Sequence, residues 1–155
     1  MSKHYKHILV PLDGSELAEA ALVDAVSMAE LNEAELTLLQ VIQPAEHVIG
    51  AETMYPVYLD QQWENQRLLV LKYLDNLQHK LARHNVTIYK AVELGSAGET
   101  IIDYAHTHPV DLIVMATHGR SGLSRWVYGS VADKVLRGAE VPVLLVRVRE
   151  KELAA

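Results

Sequence analysis

The residues from Met115 to Val131, MATHGRSGLSRWVYGSV, hold three glycines, two arginines, three serines and His118. They follow the apolar run DLIVM and precede the helix-like segment VADKVLRG. The chemistry suited to this mixture is anion binding. Gly119 and Gly122 lack β-carbons, so the backbone there can approach a ligand closely and can reach φ > 0. Gly129 and Ser130 stand where the next helix begins. At such a place unpaired amides and the positive end of the helix dipole face outward, and phosphate is a common guest. Ser130 adds a hydroxyl donor. The same residues also have a purely structural reading. Ser130 with Asp133 spells an S-x-x-D capping pattern, a lone glycine serves a turn, and Trp126, Val127 and Tyr128 read as packing residues. Spelling excludes two known phosphate loops. There is no Gly-Lys pair for a Walker A loop and no G-x-G for a dinucleotide fingerprint.

The elements that must position this segment alternate along the chain. HILVPLD (His7 to Asp13) predicts a strand buried on both faces, and Ser15 predicts the cap of a helix running to about Glu30. ELTLLQVI (Glu35 to Ile42) predicts a second buried strand. A connection from Gln43 to Gln62 follows, long enough to suggest a functional or mobile loop. In the next helix Trp63, Arg67, Val70, Leu74, Leu77 and Leu81 form one stripe. VTIYKAV (Val86 to Val92) mixes polar and apolar residues as an edge strand does. A short helix stops before Pro109, and DLIVMA (Asp111 to Ala116) predicts a buried fourth strand. A helix from about Ser130 to Arg137 leads to VPVLLVRV (Val141 to Val148), the fifth strand.

This order implies an α/β domain over residues 1–155, a doubly wound parallel sheet with helices on both faces. With strand order 3-2-1-4-5 the direction of winding reverses between strands 1 and 4, and ligands sit beyond the carboxyl ends of strands at such a point. PLDGS (Pro11 to Ser15) and the glycine-rich segment would then lie side by side, about a hundred residues apart in sequence.

The totals bound the partners. The 155 residues carry a formal net charge of -6, which argues against nucleic acid. Between Met115 and Arg149, however, six basic residues face only Asp133 and Glu140. A basic patch on an acidic chain suits a small anion better than a polyanion. The absence of cysteine excludes disulfides and thiolate chemistry. No apolar run reaches the length of a membrane span, and the apolar stretch after MSKHYKH is too short for a signal peptide, so a cytoplasmic protein is expected.

At this point the sequence resembles the universal stress proteins, whose nucleotide-binding branch carries a G-x2-G-x9-G-[ST] signature after the fourth strand. The matching positions are Ala116, Gly119, Gly129 and Ser130, with alanine at the first glycine position. ILVPLDGSELAEAAL, THGRSGL and GSVADKVLRGAEVPVLLV also look like the family. The resemblance implies ATP lying across the two loops. Asp13 would meet the adenine or ribose end, Val41 would offer backbone to the adenine, and Pro11 and Leu12 would line the base pocket. Met115 and Ala116 would floor the site. Gly119, Arg120, Gly129, Ser130 and Val131 would wrap the phosphates. A divalent ion, Mg or Mn, would be held mainly by phosphate oxygens. The resemblance also implies a homodimer that covers strand 5, Val141 to Val148, which is an apolar run at a sheet edge.

Alanine at 116 leaves two alternatives. It is harmless where only close approach matters, and incompatible with a loop that needs φ > 0 there. A nucleotide-independent interaction protein with a purely structural loop is therefore the second reading. Enzyme chemistry has less support. There is no G-x-S-x-G elbow and no residue identifiable as positioning water against a γ-phosphate, so slow ATP hydrolysis is the most to expect. The pairs His106/His108 and His4/His7 lack a convincing set of companion ligands, and no metal site is assigned to them.

Overall fold

Residues 3–44, 56–118 and 129–149 are described in a computed structural model. The elements run β1 (His7–Leu12), α1 (Glu16–Glu19), α2 (Ala21–Asn32), β2 (Glu35–Ile42), α3 (Pro56–Leu81), β3 (Ile88–Leu94), α4 (Ala97–Thr107), β4 (Leu112–His118), α5 (Ser130–Gly138) and β5 (Val143–Val148). The five strands form one sheet in the order β3-β2-β1-β4-β5, and every neighbouring pair is parallel.

Strands in the middle of such a sheet are covered on both faces, which explains their unbroken apolar character. Ile8, Leu9, Val10, Leu36, Leu38, Leu39, Ile113 and Val114 are fully buried. Alternate residues feed two cores. On one face Ile8, Val10, Leu36, Leu38 and Val114 pack with Ala21 and Ala25 of α2 and Leu74 and Leu77 of α3. On the other, Leu9, Leu39, Ile113 and Met115 pack with Ile101 of α4 and Ala132 and Val135 of α5.

Several boundaries differ from the sequence reading. The helix expected from Ser15 to Glu30 is two helices. Ala20 keeps right-handed dihedrals but its amide is shared between the carbonyls of Glu16 and Leu17, which tightens one turn. The last part of the connection expected at 43–62, from residue 56 on, is helix, because α3 begins at Pro56, a residue suited to a first helical turn. Residues 45–55 lie outside the described residues. The stripe on α3 follows its spacing, with Leu74 and Leu77 buried and Trp63, Arg67, Val70 and Leu81 half-buried. β3 is an edge strand, displaced two residues toward Leu94. β4 continues past Ala116 to His118, and β5 begins at Val143 rather than Val141.

The central pair is held at one end only. β1 and β4 pair at Ile8↔Leu112 and Leu9↔Ile113, whereas β1 pairs with β2 along its whole length. At the amino ends the Asp111 carboxylate accepts the amides of Lys6 (2.7 Å) and His7 (3.2 Å), and the Asp111 amide donates to the His7 carbonyl (3.0 Å). His7 is fixed again by a 2.6 Å hydrogen bond between Nε2 and Thr37 Oγ1. Burial holds the His7 pKa below its usual value, against the opposing charges of Glu35 and Asp111. Further along, Pro11 puts a residue without an amide into β1, within the stretch that has no β4 partner.

Two charge-assisted bonds to backbone make Asp111 a clamp. Asp111→Ala should lower unfolding stability by about 2 kcal/mol, read as a lower urea midpoint. An unchanged midpoint would show that the clamp carries no weight.

Candidate functional site

Beyond the last β1–β4 pair the two strands leave a cleft of about 390 Å³. Its volume falls within the usual range for small-molecule sites. Nine of the eleven residues expected at a site line it: Pro11, Leu12, Asp13, Val41, Met115, Ala116, Gly129, Ser130 and Val131. Gly119 and Arg120 lie outside the described residues, as do Gly122, Trp126, Val127 and Tyr128. The sheet therefore brings the loop after β1 beside the start of α5, which follows β4.

The loop after β1 is a tied turn. Gly14 adopts φ 84°, a conformation that side chains disfavour. Asp13 Oδ1 accepts both the amide (2.9 Å) and the hydroxyl (2.5 Å) of Ser15. Ser15 Oγ in turn accepts the Ala18 amide at 3.1 Å, which caps α1. Asp13 thus has a turn role. Its exposed carboxylate keeps Oδ2 without a hydrogen bond among the described residues. Behind this turn, Tyr73 of α3 donates to Glu19 of α1 at 2.9 Å. Burial first, then the Glu19 hydrogen bond and the charges of Glu19 and Asp13, raise the Tyr73 pKa, so the phenol stays a donor at neutral pH.

The opposite wall is the amino end of α5. Its N-cap is Gly129, and among the described residues no side chain caps it. The expected S-x-x-D pairing does not form. Ser130 is already helical, and Asp133 instead takes Arg137 Nε at 3.1 and 3.0 Å. The first-turn amides therefore lack the side-chain partner that a capped helix has. A β-carbon built on Gly129 would meet nothing within 4 Å among the described residues.

Between the walls the floor is apolar. Leu12 and Met115 are buried, and Val41 packs beside Leu39. Ala116 is a regular β4 residue opposite Val146. Among the described non-glycine residues only Glu33 has positive φ, so position 116 makes no demand for glycine here.

The sequence reading missed Gln43, Ala97, Ile101 and Thr117, which also line the cleft. Ending β4 at Ala116 assigned Thr117 to the loop, although a polar residue following an apolar run was the available signal. Ala97 opens α4 and carried no signal in its type. His118, exposed at the end of β4, borders the cleft too. His106 and His108 are engaged elsewhere. His106 contacts Glu140 at 3.2 Å, and His108 stacks on Tyr104 with ring centroids 3.7 Å apart. Among the described residues no three histidine or acidic side chains converge as metal ligands.

The description "Universal stress protein family" belongs to the family model that matches residues 4–147. This chain belongs to the universal stress protein family. It is 30% identical over 149 residues to the universal stress protein MJ0531 of Methanocaldococcus jannaschii, covering 96% of this chain and 85% of that relative. The solved universal stress protein UspA of Lactobacillus plantarum superimposes with a TM-score of 0.77 at 28% identity, covering 94% of this chain and all of that one. A more distant universal stress protein, solved in complex with cAMP, shares the fold with a TM-score of 0.65 at 20% identity, over 94% of this chain and 98% of that one. In this family member the cleft lies where the winding of the sheet reverses, the place the fold reserves for ligands.

The turn after β1 should be sensitive to its cap. Ser15→Ala removes the acceptor for the Ala18 amide and one donor to Asp13. The expected cost is about 1 kcal/mol in thermal unfolding, and a change within a few tenths would count against the turn's rigidity.

Proposed function

We propose that this chain is an ATP-binding universal stress protein that acts in stress response and regulation in the cytoplasm. The observation that carries the reading is the juxtaposition of the Asp13 turn with the uncapped amino end of α5 across one cleft. An adenine fits the apolar end, between Pro11, Leu12 and Val41. Asp13 Oδ2 is free to accept a ribose hydroxyl. The phosphates meet the α5 dipole and the backbone of Gly129, Ser130 and Val131, where negative charge is favoured. Gly119 and Arg120 complete the phosphate end in this proposal, and a Mg or Mn ion bound there would be held by phosphate oxygens. The strand geometry of Ala116 favours this reading over a nucleotide-independent one, since alanine is at ease in extended backbone. Binding, rather than turnover, is the activity proposed. Occupancy would shift the protein between surfaces offered to protein partners.

Thermal unfolding with and without Mg-ATP tests the reading. At a hundred times its dissociation constant ATP should stabilise the protein by about 2.7 kcal/mol. Gly129→Val adds bulk where the unliganded protein has room, so the variant should fold and lose most of that gain. No shift at millimolar ATP sinks the proposal, and so does an equal shift in the variant.

The proposal includes a homodimer through the β5 edge over 141–148. Leu144 there is 38% exposed, and Val143, Leu145 and Val146 are half-buried. An apolar edge of this kind is normally covered. Sedimentation velocity should give a dimer for the wild type and a monomer for Leu144→Lys. A monomeric wild type at micromolar concentration contradicts this part of the proposal.

A further inference from the structure

The cleft has two unlike sides. On one, Asp13, His118 and Ser130 come from the turn after β1, from β4 and from α5, and the hydroxyl of Thr117 there is buried. The other side is built by β2 and α4. Leu39, Val41, Ala97 and Ile101 line it, and among the described residues its one polar side chain is Gln43. In a mostly apolar ligand site a few placed polar groups decide orientation and specificity.

The strand before it sets where Gln43 stands. Leu39, Val41 and Gln43 occupy alternate positions and all line the cleft, whereas Gln40 and Ile42 do not. The Ile42 carbonyl accepts the Gly95 amide at 3.0 Å, so the residue before Gln43 is tied to the end of β3. Leu39 is buried in one core with Ile101 of α4, which fixes the floor beneath. Gln43 itself is exposed, and its side chain makes no hydrogen bond among the described residues. A ligand in the cleft can therefore reach its amide. β2 and β4 flank β1, so they lie about 10 Å apart. α5 follows β4, which puts an anion at its amino end on the far side of the cleft from Gln43. An uncharged amide above apolar side chains suits the base of a nucleotide instead.

We propose that Gln43 is a specificity-determining residue that contacts the edge of the base and selects a 6-aminopurine over the same purine without its amino group. The inference rests on the nucleotide reading above and adds to it a side chain that reads the base. A carboxamide carries an acceptor oxygen beside a donor NH2. The 6-amino group of adenine is a donor with a ring nitrogen acceptor on either side. Gln43 Oε1 accepts from the amino group, and Nε2 donates to the neighbouring ring nitrogen. Such two-point pairing of glutamine with adenine discriminates by more than a single contact does.

Titration calorimetry of wild type, Gln43→Leu and Gln43→Ala against two ligands tests the contact. The ligands are ATP and purine riboside triphosphate, which is ATP without the 6-amino group. Gln43 is exposed, so both variants should fold as the wild type does. Wild type should bind ATP about tenfold more tightly than the analogue. Each variant should lose about tenfold for ATP and much less for the analogue, so that removing the amide and removing the amino group are not additive. Both ligands are compared on the same protein, so a change in stability cannot imitate that pattern. Unchanged ATP affinity in the variants overturns the inference. An equal loss for ATP and the analogue does so too, because Gln43 would then act on the ribose or on the shape of the cleft. Wild type that binds both ligands equally well also overturns it and leaves the nucleotide reading standing. Wild type that binds neither at millimolar concentration defeats the nucleotide reading, and this inference with it.

Discussion

The β1–β4 pairing is the constraint on which the rest of the structure depends. These are adjacent parallel strands, and the helices that follow them go to opposite faces. α1 and α2 leave β1 for the face of Ile8 and Val10, while α5 leaves β4 for the face of Leu9 and Ile113. A right-handed crossover must carry each chain away from its strand, so nothing in the local connectivity fills the space between. The pair also has only two registered partners, at Ile8 and Leu9 of β1. Asp111 fastens the strands below that point through backbone amides of Lys6 and His7. The cleft is therefore a consequence of topology and needs no special loop to hold it open.

Much of this was legible in the sequence because burial on two faces leaves an unmistakable signature. HILVPL, ELTLLQVI and DLIVM are too apolar for half-exposed strands and too short for buried helices. Their alternation with helical stripes leaves few topologies, and the order 3-2-1-4-5 follows from the usual winding. The residues assigned to the site from resemblance and loop chemistry lie around one cleft wherever they are described. What such signals could not supply was where elements end. Ser130 and Asp133 spell a capping box, yet Gly129 takes the cap position and Asp133 pairs with Arg137 one turn along. α3 begins earlier than its stripe suggested, since the stripe becomes visible only where the helix packs.

The boundary of β4 mattered most. Two more strand residues turn Thr117 from a loop residue into a buried one, and make Ala116 an ordinary extended position. Glycine at 116 would be required only by a left-handed backbone, and β4 does not have one. A departure from the family signature thus loses its force once the local geometry is known.

The two ends of the sheet treat their polar groups in opposite ways. At the amino ends the Asp111 carboxylate takes two amides, and His7 takes Thr37, so the backbone and side chains are paired within the protein. At the carboxyl ends, among the described residues, the amino end of α5 has no side-chain cap, Asp13 keeps one oxygen unbonded and Thr117 keeps its hydroxyl unpaired. Of these groups only the Thr117 hydroxyl is buried, where an unpaired polar group is costly, whereas Asp13, Gly129 and Ser130 are exposed. That contrast is a property of this chain's own geometry and does not rest on the resemblance.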